Sequence, residues 1–128
     1  MRKASFVYSP RFRELDLGPD HPLKAKRVVR TYDLIRACHL LEGENVLLSR
    51  PQSASEEALA LVHSRDYIEA VRATNEGRPM PNPGRFGFGT VDNPIVSGMY
   101  EMAALVVGAS LTAADLVADG TVSVAFNP

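Results

Sequence analysis

The chain has 128 residues, of which 45% are hydrophobic and 23% are charged, and its formal net charge is −1. This is the composition of an ordinary globular protein, and the length suits one domain with its own core. The near-neutral charge and the lack of a basic stripe give no electrostatic case for nucleic-acid binding. The single cysteine, Cys38, excludes a disulfide framework and a thiolate-rich zinc cluster, and it favours a cytoplasmic protein.

The first part of the chain predicts two strands separated by a helix. Residues 3–8 are rich in strand formers and predict the first strand, and residues 11–20, of mixed charge, predict a loop. A helix is predicted over about 20–41, because a capping aspartate precedes a proline and apolar residues then recur at helical spacing. The short apolar run 46–49 predicts the second strand.

The middle of the chain predicts two short helices and a loop. A capping box, Ser53 with Glu56, predicts a helix that runs through Val62. A second helix is predicted over 64–76. Residues 77–89 contain three prolines and four glycines, which predict a loop.

A long apolar helix is predicted over 95–119, with Gly120 as its C-terminal cap. Leu105 falls off the main apolar stripe, so the helix is expected to be buried on several sides. Polar interruptions such as Glu101 and Asp115 are taken to exclude a membrane span. The stripe consists of Ile95, Met99, Met102, Ala103, Val106, Ala109, Ala113, Leu116 and Val117.

The last apolar run, residues 122–126, predicts a buried parallel strand. Strands that alternate with helices in this way indicate an α/β fold. In such folds ligands bind beyond the carboxyl ends of the strands, which places a candidate site near Asn127.

Six short motifs occur along the chain in a fixed order. In this order and at this spacing they resemble the amino-terminal part of zinc-dependent deacetylases, the histone deacetylase superfamily, and in particular its bacterial acetoin-utilization branch. They are Tyr8-Ser9-Pro10, His21-Pro22-Leu23-Lys24, His63 with Tyr67-Ile68, Gly89-Thr90-Val91-Asp92-Asn93-Pro94, Gly98-Met99-Tyr100-Glu101 and Ala125-Phe126-Asn127-Pro128.

The resemblance implies a three-layer α/β/α sandwich with a mainly parallel, eight-stranded sheet of the arginase/deacetylase type, of which about the first three strands are present. Residues 1–128 would be the amino-terminal part of one deacetylase domain, truncated before a catalytic tandem-histidine loop expected just past Pro128. The full-length parent would use zinc to hydrolyse acetylated amines such as acetyl-lysine. The chain itself is expected to hold no catalytic residue, metal ligand or zinc, and to be inactive.

Three residues take roles from the resemblance. Asp92 would lie at the rim of the active-site tunnel and accept hydrogen bonds from substrate backbone amides. Its own sequence context favours a cap for the helix predicted after it, and one residue can fill both roles. Tyr8 and Arg27 would line an internal cavity through which acetate leaves. Their plainer interpretations are a tyrosine at the edge of the core and a solvated charge on a helix face.

The histidines His21, His39 and His63 lie far apart and lack the spacing of a metal site. A second function therefore stays open, that of a non-catalytic α/β interaction domain. A longer reading frame that continues into the tandem histidine would favour the enzyme.

The expected partners of the parent are an acetylated protein or a small-molecule amide, with no nucleic acid and no membrane. The truncated chain is also expected to associate with copies of itself. Two surfaces are candidates: the exposed edge of the strand at 122–126, and a helix face containing Val106, Ala109, Ala113 and Val117.

Overall fold

The computed structural model describes residues 2–80 and 82–128. All three predicted strands are confirmed, and two short 3-10 helices lie in segments predicted as loops, at Pro10–Glu14 and Pro83–Phe86. In chain order the strands and α-helices are β1 (Ala4–Val7), α1 (Lys26–Ala37), β2 (Val46–Ser49), α2 (Glu56–Leu59), α3 (Arg65–Asn75), α4 (Met99–Ala118) and β3 (Val124–Phe126).

The three strands form one parallel sheet in the order β2-β1-β3. The central strand β1 pairs along its length with β2, so that Val7 lies beside Ser49, and on its other edge with β3, so that Phe6 lies beside Phe126. Parallel strands need crossover connections, and here helices supply them. The predicted α/β class with a parallel sheet is therefore confirmed.

One face of β1 is aromatic and lies under α1. Side chains alternate between the faces of a strand, so Phe6 and Tyr8 share this face. Tyr32 of α1 stacks on Tyr8 with ring centroids 3.9 Å apart, and Phe126 of β3 stacks on Phe6 at 5.7 Å. Helix α1 lies over β1 and does not cover β3. The side chains of β3 on this face are therefore about half exposed: Val124 is 56% exposed and Phe126 is 53% exposed.

The opposite face of β1 carries Val7, which has no exposed surface, and α4 contacts β1 and contributes to the same core. The buried positions of α4 are Met102, Ala104, Leu105, Gly108 and Ala109. The predicted apolar stripe is thus partly wrong, because Leu105 is buried while Val106 is 44% exposed. Within the described residues α4 is buried along one side, and not on several sides.

Helix α4 is long and apolar enough to cross a membrane, and it is the one helix in the described part of the chain with this property. The expectation that Glu101 and Asp115 exclude a membrane span is therefore wrong, because the helix that contains them is long and apolar enough to form one. The core helix of a folded domain has the same properties, and the buried positions of α4 show it packed against protein.

Helix α1 begins at Lys26, later than the predicted start near residue 20. The Lys24 ammonium group donates hydrogen bonds to the carbonyl oxygens of Gly18 and Pro19 at 2.9 and 2.6 Å, so this backbone is folded as a loop. The helix ends at Ala37, and not near Leu41, because His39 adopts a left-handed φ of 57°.

Helix α4 begins at Met99, and the start predicted at residue 95 is wrong. Gly98 precedes it with a φ of 80°, a conformation that glycine adopts without strain and that a helix cannot contain. Helix α2 is capped by Ser55, whose Oγ accepts from the amide of Ala58 at 3.2 Å, and not by the predicted Ser53. Helix α3 starts after its cap, Ser64, close to the predicted position.

A backbone segment before α2 docks directly on α4. The amide of Ala54 donates to the carbonyl oxygen of Ala104 at 2.8 Å. This approach depends on Gly108, since a Cβ there would overlap the carbonyl oxygen of Gln52 and lie 2.8 Å from the amide nitrogen of Ala54. The glycine is therefore required by packing, although it stands inside a helix where glycine is unfavourable.

One of the two surfaces expected to mediate self-association is not available. The helix face was defined by Val106, Ala109, Ala113 and Val117, but Ala109 has no exposed surface and lies in the core. Residues 106 and 117 are each 44% exposed and do not form a continuous free face with it. The edge of β3 remains as the candidate.

We predict that Gly108→Ala lowers the free energy of unfolding by about 1–3 kcal/mol or more, because the added methyl overlaps backbone that cannot move without breaking the Ala54–Ala104 hydrogen bond. Urea unfolding measures the change. Gly43→Ala is the matched control, since a Cβ there meets only a methyl of Val46 at 3.9 Å. Equal stabilities for the two variants would contradict the docking described here.

Candidate functional site

The candidate site lies at the carboxyl ends of the parallel strands. The chain moves from β1 to β2 on one side and later returns to β3 on the other side, so the strand order reverses between β1 and β3, where parallel sheets commonly bind ligands. Tyr8 and Ser9 follow β1, and Asn127 follows β3. The sequence placed a site at this end of β3, and the strand order is consistent with that placement.

Asn127 has an unsatisfied polar group. Its amide nitrogen donates to Ser110 Oγ of α4 at 3.0 Å, whereas its buried Oδ1 has no donor among the described residues. A buried acceptor without a donor costs about 1–3 kcal/mol. The end of β3 is therefore a position where a further hydrogen-bond donor fits.

Tyr8 is buried at the end of β1, with 7% of its surface exposed. It stacks on Tyr32 and meets Phe12 edge-on at 6.0 Å. Burial raises the pKa of the Tyr8 phenol above its ordinary value, and the nearby Asp33 carboxylate raises the pKa further. Tyr8 therefore stays protonated at neutral pH and can donate a hydrogen bond.

Arg27 lies in the first turn of α1 and its side chain is exposed. Its backbone carbonyl accepts a hydrogen bond from Thr31 Oγ1 at 2.9 Å. The structure does not bring Arg27 to Asp92, because the cleft that contains Asp92 is lined by neither Arg27 nor Tyr8. The role of both residues at an internal cavity stays a prediction.

Asp92 lies on an exposed loop, and its carboxylate makes no hydrogen bond to any residue that the structure describes. Two short bonds shape the loop: the amide of Gly89 donates to Asn93 O at 2.9 Å, and the amide of Asn93 donates to Thr90 Oγ1 at 3.0 Å. The alternative role of Asp92 as a helix cap is wrong, since α4 begins at Met99 after Gly98. Its two carboxylate oxygens remain available as acceptors.

Asp92 lines a cleft of about 530 Å³ between the loop, α3 and α4. Most of the wall is apolar, and one side is aromatic: Tyr67 packs on Phe88 at 5.7 Å and on Phe86 at 6.1 Å, while His63 stacks on Tyr67 at 5.1 Å. The site thus combines one free carboxylate with an extended apolar surface.

Arg72 of α3 connects helices α2 and α4 beside this cleft. The sequence did not predict this contact. Its guanidinium donates to Glu56 of α2 at 2.7 Å and to the Tyr100 hydroxyl of α4 at 2.8 Å, and it lies over the Tyr100 ring at 4.9 Å. The bond to Glu56, and then that to Tyr100, raises the pKa of Arg72 above its ordinary value. The three residues are distant in sequence, so no local pattern could have indicated the contact.

Comparison with known proteins decides the family. The histone deacetylase domain family matches residues 21–128. The chain belongs to the histone deacetylase domain family. It is 40% identical over 121 residues to the acetoin utilization protein AcuC of Bacillus subtilis, and 29% identical over 121 residues to AcuC of Staphylococcus aureus strain MSSA476. It is 29% identical over 128 residues to the histone deacetylase clr6 of Schizosaccharomyces pombe.

These relatives are much longer than the chain. The matches cover 94% of the chain for both AcuC proteins and 98% for clr6, but only 31% of each relative. The chain therefore spans about a third of the length of the deacetylase-family proteins that it matches. The resemblance in sequence and the deacetylase-like α/β fold agree with each other.

No group of three metal-ligating side chains occurs in residues 2–80 and 82–128. The three histidines have other contacts: His21 bonds to backbone, His39 Nδ1 pairs with Glu42 at 2.8 Å, and His63 stacks on Tyr67. Zinc sites in proteins need three or four converging ligands. The described residues do not fit a zinc ion.

We predict that the 128-residue chain binds no stoichiometric zinc, because its histidines and its cysteine do not converge on one point. Metal analysis after dialysis against zinc buffer measures the content. One bound zinc per chain, lost in His21→Ala or His63→Ala, would show that a site had been overlooked.

Proposed function

We propose that the chain forms the substrate-facing rim of a zinc-dependent deacetylase that hydrolyses acetylated amines such as acetyl-lysine. The observation that carries the proposal is the free carboxylate of Asp92, held on a short loop beside an apolar cleft in a chain of the histone deacetylase domain family. The proposed substrate is an acetylated protein or a small-molecule amide. We also propose that the protein is cytoplasmic.

The chemistry of Asp92 suits the backbone of a peptide. A carboxylate offers two acceptor oxygens, which can take hydrogen bonds from two amide N–H groups at once. Because the loop is closed by the Gly89–Asn93 and Asn93–Thr90 bonds, little backbone has to be ordered when a substrate binds. The apolar cleft next to it offers a surface for the less polar parts of a substrate.

Zinc and the residues that act on it belong, in this proposal, to the part of the protein outside these 128 residues. In such enzymes zinc polarises the amide carbonyl and lowers the pKa of its bound water. The chain's own contribution is binding and orientation, and we propose that the chain is inactive by itself.

We predict that Asp92→Ala in the full-length protein lowers kcat/KM for an acetylated peptide about ten- to a hundredfold, because charge-assisted hydrogen bonds to the substrate are lost. Asp92→Asn keeps one acceptor oxygen and should lose less. Asp115→Ala, at the other end of α4, is the control and should behave like the unmodified protein. Zinc content should be the same in all four proteins.

An unchanged kcat/KM for Asp92→Ala would show that Asp92 does not bind the substrate at the rim. A full-length protein that holds no zinc and hydrolyses no acetylated substrate would instead favour the non-catalytic α/β interaction domain. The two failures are distinct, since the first leaves an active enzyme and the second leaves none.

We further propose that the 128-residue chain associates with copies of itself through β3. This strand is an edge of the sheet in the described structure, and exposed edges pair readily with other strands. Val124 adds an apolar side chain that is 56% exposed.

Light scattering across a concentration series should show species larger than a monomer. Val124→Lys should shift the chain toward the monomer, because a charge on an edge strand opposes pairing. Leu61→Lys is the control, since Leu61 is 86% exposed and lies outside the sheet. A monomer at every concentration would overturn the proposal.

A further inference from the structure

His21 connects two distant segments of the chain through its two ring nitrogens. The amide of Leu23 lies 3.1 Å from His21 Nδ1, and the carbonyl oxygen of Asp92 lies 3.2 Å from His21 Nε2. Residues 21 and 92 are 71 positions apart in the sequence. The ring thus joins the loop before α1 to the loop that carries the free carboxylate.

The two backbone partners fix the tautomer of the ring. The amide of Leu23 can only donate, so Nδ1 must carry the lone pair, and a neutral ring then carries its proton on Nε2. The carbonyl of Asp92 can only accept, and it lies opposite that N–H. One neutral tautomer therefore satisfies both hydrogen bonds, with Nδ1 as the acceptor and Nε2 as the donor.

The segment that carries His21 is itself held in place. The amide of Gly18 donates to Asp16 Oδ1 at 2.9 Å, and Lys24 Nζ donates to the carbonyl oxygens of Gly18 and Pro19. These bonds fold residues 16–24 before α1 starts. The imidazole is thus presented from a segment with a defined shape.

The Asp92 loop depends on this contact from outside. Its other hydrogen bonds are local, as between Gly89, Thr90 and Asn93. Among the hydrogen bonds of the described residues, the one from His21 is the only one that joins residues 88–97 to a distant segment. His21 is therefore the hydrogen-bonded link between the Asp92 peptide and a distant part of the described chain.

We propose that His21 is a positioning residue, which clamps the backbone carbonyl of Asp92 and so aims the Asp92 carboxylate at the substrate. This inference rests on the proposed rim function of Asp92. His21 acts through the loop and touches no substrate in this scheme. Its loss should weaken substrate binding and leave the chemical step almost unchanged.

Three substitutions in the full-length protein separate the two bonds of the ring. His21→Asn can keep an acceptor near the position of Nδ1 but is too short to reach Asp92. His21→Gln has an amide nitrogen that can reach the position of Nε2 and restore the clamp. His21→Ala removes both bonds. The control is His39→Asn, because His39 is exposed with a left-handed φ of 57° that asparagine tolerates.

Two measurements are made on each variant. In steady-state kinetics with an acetylated peptide, His21→Ala and His21→Asn should raise KM about two- to tenfold, the effect of losing one neutral hydrogen bond, with kcat within about twofold. His21→Gln should restore KM. In hydrogen exchange, the amides of Gly89 and Asn93 should exchange faster in the first two variants and at the original rate in His21→Gln and His39→Asn.

Unchanged KM and unchanged exchange in His21→Ala would overturn the proposal. A fall in stability common to all three His21 variants, with no rescue by glutamine, would also overturn it, since His21 would then only support the fold. If the unmodified protein hydrolyses no acetylated substrate, the proposed function fails. The exchange rates at Gly89 and Asn93 then decide by themselves whether His21 holds the loop.

Discussion

The structure depends on strand β1, which is paired on both edges and covered on both faces. Backbone bonds extend the pairing beyond the strand itself: the amide of Tyr8 donates to Ser49 O at 2.9 Å, and the amide of Ser123 donates to Lys3 O at 2.8 Å. Because both neighbours run parallel to β1, both connections must cross over, and the helices that cross cover its two faces. Complete burial of the Val7 side chain contributes about 1.5–3 kcal/mol and requires that the layer on its face of β1 forms.

The same topology explains why the outer elements are less completely buried. Only β1 has neighbours on every side, whereas β3 lies at an edge with Val124 and Phe126 about half exposed. Helix α4 buries one side against the sheet and leaves Val106, Leu111 and Val117 more than 40% exposed. In a family whose matched members are about three times as long, such surfaces are the expected places for further elements of the sheet and its helices.

Sequence periodicity predicted the strands and the existence of the α-helices, because these follow from local propensity and alternation. It failed where tertiary contacts determine which side chains are buried, or where a single backbone angle determines where a helix begins. Gly98 starts α4 later than its apolar pattern suggested, and Leu105 was placed off the buried stripe although its side chain faces the core. Of the site, the motifs singled out Asp92, but they could not show the Arg72–Glu56–Tyr100 contact or the bond from His21, since the partners are far apart in sequence.

The core and the candidate site are held by different kinds of interaction. Around β1 the contacts are apolar and aromatic, and they tolerate little change in volume. The Asp92 loop is held by a few hydrogen bonds to backbone groups, made by its own residues and by His21, and none of them contributes to the apolar core. Each such bond contributes only about 0.5–1.5 kcal/mol, so the loop can be altered without unfolding the sheet. The direction of the Asp92 carboxylate is therefore a property that substitutions can change independently of the fold.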